Sequence, residues 1–275
     1  MPKNLSPQLI VSKAVLPRMA DAAQELVRSL GDPDALDIRR LTALVMRDPV
    51  VAALVLKRAN SPRLGHGRSV GSLAEAIHLL GLAQVGNIAM AVFLEASVPT
   101  PPGIDRARFW ESSNLAADFA LKLSYAGAVD SSQAWLCAFL LRLGEIPMVQ
   151  SDPESAGRIE KGPSLPGSRW SRERELFGFT EALASSELVK QWNFPWALVD
   201  ALAACDTGPQ QTRSEALSGV VLLSWMMADA VCAGIRTQAE LAKLIPEGLL
   251  QSSGISRALV HDMLSEYVTV VAGPA

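Results

Sequence analysis

Leu56-Lys57-Arg58-Ala59-Asn60-Ser61-Pro62, followed shortly by Ala76-Ile77-His78-Leu79-Leu80-Gly81, decides how this chain folds. Upstream, Val50, Val51, Leu54 and Val55 recur at helical spacing and run into Asn60-Ser61-Pro62. Pro62 has no backbone N–H and biases Ser61 away from helical angles, so a helix is expected to end there. A short loop with glycines at 65, 67 and 71 leads to Ser72-Leu73-Ala74-Glu75. That spacing predicts a capping box, the Ser72 hydroxyl accepting from the Glu75 amide while the Glu75 carboxylate reaches back. The helix it opens stops at Gly81, a residue that tolerates left-handed angles. The pattern is helix, tight polar corner, helix. Asn60 and Ser61 are expected to fasten the corner by side-chain-to-backbone bonds rather than to contact a ligand.

Working outward, residues 18 to 30 place Met19, Ala22, Ala23, Leu26, Val27 and Leu30 on one helical stripe. Gly31-Asp32-Pro33-Asp34 breaks it, and Ile38, Leu41, Leu44 and Val45 make a second stripe opposite Arg39, Arg40 and Arg47. With the two helices flanking the corner and one more from Leu82 to about Ala96, residues 1–98 read as a five-helix subdomain. Val98-Pro99-Thr100-Pro101-Pro102-Gly103 punctuates the chain. Residues 104–206 read as a second helical subdomain. Its first helix runs from Asp105 to about Ala126, and Asp130-Ser131-Ser132 caps the next. Ser151 to about Ser171, with Pro153, Pro163 and Pro166, reads as a long loop, and helices resume near 172–177, 180–192 and 196–205. Residues 207–275 add a nearly all-apolar helix, Glu215 to Val231, and an amphipathic one carrying Leu259, Met263, Leu264, Tyr267 and Val271. They are expected to pack on the second subdomain; a lid or a surface for a partner chain is the alternative. No sustained period-2 run occurs, so the class is all-α: two packed helical subdomains with extra C-terminal helices.

The bulk numbers agree with that class. At 275 residues and 49% hydrophobic content the chain can bury a sizeable core, and a net charge of −3 argues against general nucleic-acid affinity. Cys137, Cys205 and Cys232 are odd in number and scattered, as expected of buried thiols in a reducing compartment rather than a disulfide framework. Ala76 to Leu94 is uncharged and long enough to cross a membrane, but His78, Gly81, Gln84, Gly86 and Asn87 interrupt it. Packed core helices are the expectation, with no signal peptide, no membrane association and a cytoplasmic location.

The run ending in Ala59-Asn60-Ser61 before a loop, and the Ala76-Ile77…Leu80-Gly81 helix after it, closely resemble the HDOD family. Leu16-Pro17, Asp48-Pro49, Phe109-Trp110, Leu140-Leu141-Arg142-Leu143-Gly144, Glu175-Leu176-Phe177-Gly178 and Trp192-Asn193-Phe194-Pro195 extend the match in order over residues 14 to 206. The resemblance implies an all-helical, HD-hydrolase-like regulatory module, generally regarded as non-catalytic and found in bacterial signalling proteins. The second subdomain is then the HD-like one.

HD-type hydrolases hold one or two divalent metals with His and Asp side chains, which activate a bound water. This chain has three histidines, His66, His78 and His261, and none from residue 79 to 260, an interval that holds the whole HD-like half. The resemblance implies that the former ligand positions are Ser112, Leu141, Arg142, Glu181, Cys205 and Asp206. A leucine and an arginine in two of them would exclude a cation. No catalytic residue, metal or cofactor is therefore expected. The Arg142 guanidinium is expected to fill the vacated site and pair with Glu181, Asp206 or both; the alternative is a helix-end charge facing solvent. No G-x-S-x-G elbow, H-E-x-x-H or Walker loop is found, and Gly65 to Gly71 reads as a turn.

One positive hint remains. Between Asp48 and Glu75 there is no acidic residue, while Lys57, Arg58, Arg63, His66 and Arg68 are all present. They form either a basic corner for an acidic protein or phosphorylated ligand, or a solvated surface balanced by carboxylates from elsewhere. The leading expectation is a non-enzymatic signalling module acting through contacts with an unidentified signalling protein. A small-ligand, nucleotide-like receptor using the HD-derived cleft and a metal-dependent phosphohydrolase or phosphodiesterase are the rivals.

Overall fold

The computed structural model describes residues 5–16, 21–30, 38–60, 69–162, 165–206, 216–235 and 244–272. Among these the chain forms sixteen α-helices and one 3-10 turn, with no strand. It divides into two compact units. One comprises Leu16–Pro99 with Trp192–Pro195; the other comprises Met1–Val15, Thr100–Gln191 and Trp196–Ala275.

The smaller unit holds α2 (Asp21–Leu30), α3 (Ile38–Met46), α4 (Pro49–Ala59), α5 (Leu73–Leu80) and α6 (Leu82–Ser97). Asp48 starts α4, its carboxylate accepting from the amides of Val50 at 2.8 Å and Val51 at 3.3 Å. Pro49, at the first helical position, gives up an N–H that no helix would have used. The helix ends at Asn60, whose amide nitrogen donates to the carbonyls of Leu56 and Val70, both at 2.9 Å. Its oxygen accepts from the Val70 amide at 2.6 Å. One side chain thereby closes the α4 terminus and pins the backbone ten residues on, as expected for Asn60; Ser61, Arg63, His66 and Arg68 lie outside the described residues.

Ser72 Oγ accepts from the Glu75 amide at 3.1 Å, but the Glu75 carboxylate accepts from Gly71 rather than Ser72, at 3.0 Å. The box is thus shifted by one residue, because the carboxylate meets the loop amide first. Gly81, at φ 83°, ends α5 and lets the chain turn by 120° into α6. Every residue of α6 from Val85 to Leu94 is buried, so this helix is the unit's central post. The uncharged stretch is therefore two bent helices, and no single helix among the described residues is long and apolar enough to cross a membrane.

The larger unit begins with α1 (Pro7–Lys13), which the sequence reading missed and whose residues it grouped with the N-terminal five helices. Ser6 caps it, Ile10 and Val11 are buried, and α1 packs on α9 and α12. Val15 and Gln150 exchange two hydrogen bonds, at 2.8 and 3.2 Å, tying down the segment's exit. The rest of the unit is α7 (Arg106–Ala126), α8 (Ser131–Leu140), the 3-10 turn Leu141–Gly144, α9 (Glu145–Ser151), α10 (Pro153–Glu160), α11 (Ser168–Phe177), α12 (Glu181–Gln191), α13 (Trp196–Asp206), α14 (Ala216–Cys232), α15 (Glu247–Ser253) and α16 (Arg257–Ala272).

The expected loop from 151 to 171 is mostly helix. Pro153 opens α10 behind an Asp152 cap instead of breaking the chain, and α11 begins at Ser168. Helix α14 is buried almost throughout and packs on α7, α8, α13 and α15, with Trp225 Nε1 donating to the Ala138 carbonyl at 2.8 Å. The C-terminal helices thus complete the core of this unit. Cys137 and Cys205 are buried, whereas Cys232, expected to be buried, is exposed at the end of α14.

Two local changes test this account. Asn60→Ala strands the buried Val70 amide; it should destabilise the smaller unit by ~1–3 kcal/mol and speed hydrogen exchange at Val70. A Cβ on Gly144 would collide with the Glu181 carbonyl and stand 2.6 Å from the Ser185 nitrogen. Gly144→Ala should therefore cost at least the upper end of the ~1–3 kcal/mol usual for overpacking, read as a fall in the urea midpoint.

Candidate functional site

The polar centre of the larger unit is assembled around the 3-10 turn. Ser185 on α12 holds that turn from both sides, its hydroxyl accepting from the Gly144 amide at 2.6 Å and donating to the Leu141 carbonyl at 2.5 Å. This clasp aims Arg142 toward α7 and α14. The Arg142 guanidinium donates to Ser112 Oγ at 2.9 Å and to Glu145 at 2.7 Å. Its carbon lies 5.7 Å from the Phe109 ring and 5.8 Å from the Trp225 ring.

Glu145, 2% exposed, is gripped from its other oxygen by Arg169 of α11 at 3.2 Å. Arg169 is the hub. Its Nε serves Glu173 at 2.8 Å and Glu181 at 3.2 Å, and a terminal nitrogen pairs with Glu160. Glu181 also accepts from Trp170 Nε1 at 3.3 Å, while the second oxygen of Glu173 accepts from the Glu181 amide at 2.8 Å.

Three buried carboxylates thus share two guanidiniums, and their protonation diverges accordingly. Burial alone would raise Glu145, but Arg142 and Arg169 override it and hold that carboxyl below its usual range. Glu181 moves the other way, well upward, first through burial and then through repulsion from Glu173; burial lifts Glu173 as well. Arg142 and Arg169 stay charged because the surrounding carboxylates outweigh their desolvation.

Of the six positions that the family resemblance marks as former ligands, the structure brings Ser112, Arg142 and Glu181 into this cluster. Leu141 contributes its carbonyl to the Ser185 clasp and buries its side chain. Cys205 is buried with its thiol toward the Ser218 carbonyl, and Asp206 accepts from the Thr180 amide at 2.7 Å, steadying the start of α12. Arg142 is not a solvent-facing helix-end charge, yet its ion-pair partner is Glu145 rather than Glu181 or Asp206. Glu145 follows three residues along the same turn and reaches the guanidinium first, Arg169 takes Glu181, and Asp206 is spent on the backbone.

Glu145, Arg169 and Glu173 were not singled out from sequence. The Arg169/Glu173 spacing of four residues was a signal, obscured because 151–171 read as loop. In the basic corner, Lys57 is exposed, and Arg58 faces Glu95 of α6 at 4.0 Å, a carboxylate supplied from elsewhere in the chain.

These residues do not fit a divalent metal. The carboxylates point at guanidiniums, and among the described residues no group of three or more His, Cys, Asp or Glu is disposed to hold an ion. A cavity of about 130 Å³ opens above the cluster, bordered by Arg108, Phe109, Ser112, Arg142, Arg169 and Asp229. That space is smaller than the about 300–1,000 Å³ usual for drug-sized ligands.

An all-helical, HD-hydrolase-like fold with a polar cluster at its centre defines the class, and comparison with known proteins gives the family. The HDOD domain model matches residues 16–207, and the chain belongs to the HDOD family. An uncharacterized protein of Treponema pallidum (strain Nichols) is 22% identical over 192 residues; the match covers 68% of this chain but only 37% of that protein's length. Among solved structures, a candidate phosphohydrolase from Shewanella amazonensis SB2B superposes with a TM-score of 0.73 at 23% identity, covering 96% of this chain and 94% of its own. An HDOD domain protein of unknown function from Geobacter sulfurreducens gives 0.72 at 18% identity, covering 95% and 94%. These likenesses establish the fold.

Arg169→Met should be the most damaging change in the cluster, because it leaves three buried carboxylates without their common partner. A loss of about 3–5 kcal/mol is expected from denaturant unfolding. The pH dependence has two limbs. The raised Glu181 gives stability that is complete at and below the ordinary carboxylate range and is lost as pH rises through its elevated value. The depressed Glu145 gives stability that is complete above that range and is lost as pH falls through its lowered value. The wild-type melting temperature should therefore peak at mildly acidic pH, and Glu181→Gln should make the alkaline limb shallower, leaving the part due to Glu173, while keeping the acid limb.

Proposed function

We propose that this chain is a non-enzymatic regulatory module of bacterial signalling that works through protein contacts. The observation that carries the reading is the Arg142 guanidinium, bonded to Ser112 and Glu145 at the centre of the HD-like unit. In an HD hydrolase the corresponding place holds the ion that activates water. The family resemblance puts Arg142 at a former ligand position, and its positive charge, backed by Arg169, would repel a second cation. The family supports a regulatory role, and so does a cavity of about 130 Å³ lined by guanidiniums rather than metal ligands. Two buried thiols, Cys137 and Cys205, favour a reducing compartment such as the cytoplasm.

The test is elemental analysis after incubation with Mn²⁺, Fe²⁺ or Mg²⁺, alongside phosphatase and cyclic-dinucleotide hydrolysis assays. The reading expects sub-stoichiometric metal and no turnover above buffer. One tightly held ion per chain with metal-dependent hydrolysis would overturn it.

A further inference from the structure

We infer that the outer face of α3 and α4 is a docking surface for an acidic amphipathic helix of a partner protein. This rests on the contact-mediated reading above and names the surface and the chemistry of the partner. Helix α4 turns Val51, Ala52, Val55 and Ala59 inward. Its outward residues at i, i+3, i+4 and i+7 are Val50, Ala53, Leu54 and Lys57, all exposed. A surface helix normally carries polar side chains there, and one that is apolar all round is normally buried. Val50 is 66% exposed and Leu54 40%, while Met46, at the end of α3 just ahead, is 58% exposed.

Cations outnumber carboxylates along these two helices. From residue 38 to 60 there are five cations, Arg39, Arg40, Arg47, Lys57 and Arg58, and one carboxylate, Asp48. Asp48 is committed to capping α4, Glu25 takes Arg40 at 2.8 Å, and Glu95 faces Arg58. Arg39 and Lys57 have no ion-pair partner among the described residues, and Arg47 stands 3.9 Å from Glu25 with 63% of its side chain exposed. An apolar stripe about two helical turns long, on helices where cations are in excess, matches a helix that presents apolar anchors at i, i+3, i+4 and i+7 flanked by carboxylates. A second copy of this chain fits poorly, because an isologous contact would bring these cations against themselves. The stripe also lacks the Trp and Phe typical of faces that insert into membranes.

The experiment uses the full chain and a fluorescein-labelled, helix-forming peptide with leucines at that spacing and flanking glutamates. Controls are the same composition scrambled and a version with lysine for glutamate. Saturable binding by the acidic amphipathic peptide alone supports the inference. So does weakening by about tenfold or more in Val50→Asp/Leu54→Asp, and loss of salt sensitivity in Arg47→Glu/Lys57→Glu. Equal binding of the scrambled peptide, no binding of any, or binding indifferent to both double variants overturns it. A variant-sensitive preference for anionic vesicles over the peptide, or a concentration-dependent dimer abolished by Val50→Asp/Leu54→Asp, overturns it too. Both variants alter exposed side chains, and unchanged circular dichroism and melting confirm their fold. Failure here removes this face only, whereas metal-dependent hydrolysis would remove the regulatory reading itself.

Discussion

The larger unit depends on a buried carboxylate, Glu145, held between two guanidiniums. Desolvating an ion is expensive, and the interior tolerates it only where partners are close and every lone pair is used. Arg142 and Arg169 meet that condition from opposite sides, and each is anchored elsewhere as well, to Ser112 in one case and to Glu160, Glu173 and Glu181 in the other. The pairing joins α7, the 3-10 turn, α9, α10, α11 and α12 through one connected set of charges. Its excess of carboxylate over guanidinium pushes Glu181 well upward, through burial first and then repulsion from Glu173.

Such a cluster gives position. Both oxygens of Glu145, Glu173 and Glu181 are engaged by guanidinium, indole or backbone donors. Hydrogen bonds to a fixed guanidinium tie the turn, the α11 hub and the start of α12 into one geometry.

Much of the fold was legible because local chemistry dictated it. The Asp48-Pro49 start, the Asn60 clasp, the Ser72 cap and the Gly81 turn are each set within about ten residues, and the structure realises them with one shift, Glu75 meeting Gly71. What failed was largely non-local or ambiguous in sign. Pro153 read as a breaker, yet the same residue opens a helix when Asp152 precedes it as a cap. Helix α1 had a local start signal in Ser6-Pro7 that went unread, and it is held in place by packing on α9 and α12. In the candidate site, Arg142 and Glu181 were visible through the family pattern, but which acid meets which base depends on distances between helices. Glu145 wins Arg142 by lying on the same turn, and Arg169 reaches Glu181 from a segment that sequence alone left without structure.

The central claim is that a guanidinium at a former ligand position keeps an ion out of the cluster. Anomalous diffraction from crystals of the protein soaked in Mn²⁺ addresses it directly. The account predicts no anomalous peak within the Ser112, Arg142, Glu145 and Glu181 cluster, with Arg142 still bonded to Ser112 and Glu145. A strong peak coordinated by Glu145 and Glu181, with the Arg142 side chain displaced, would contradict it.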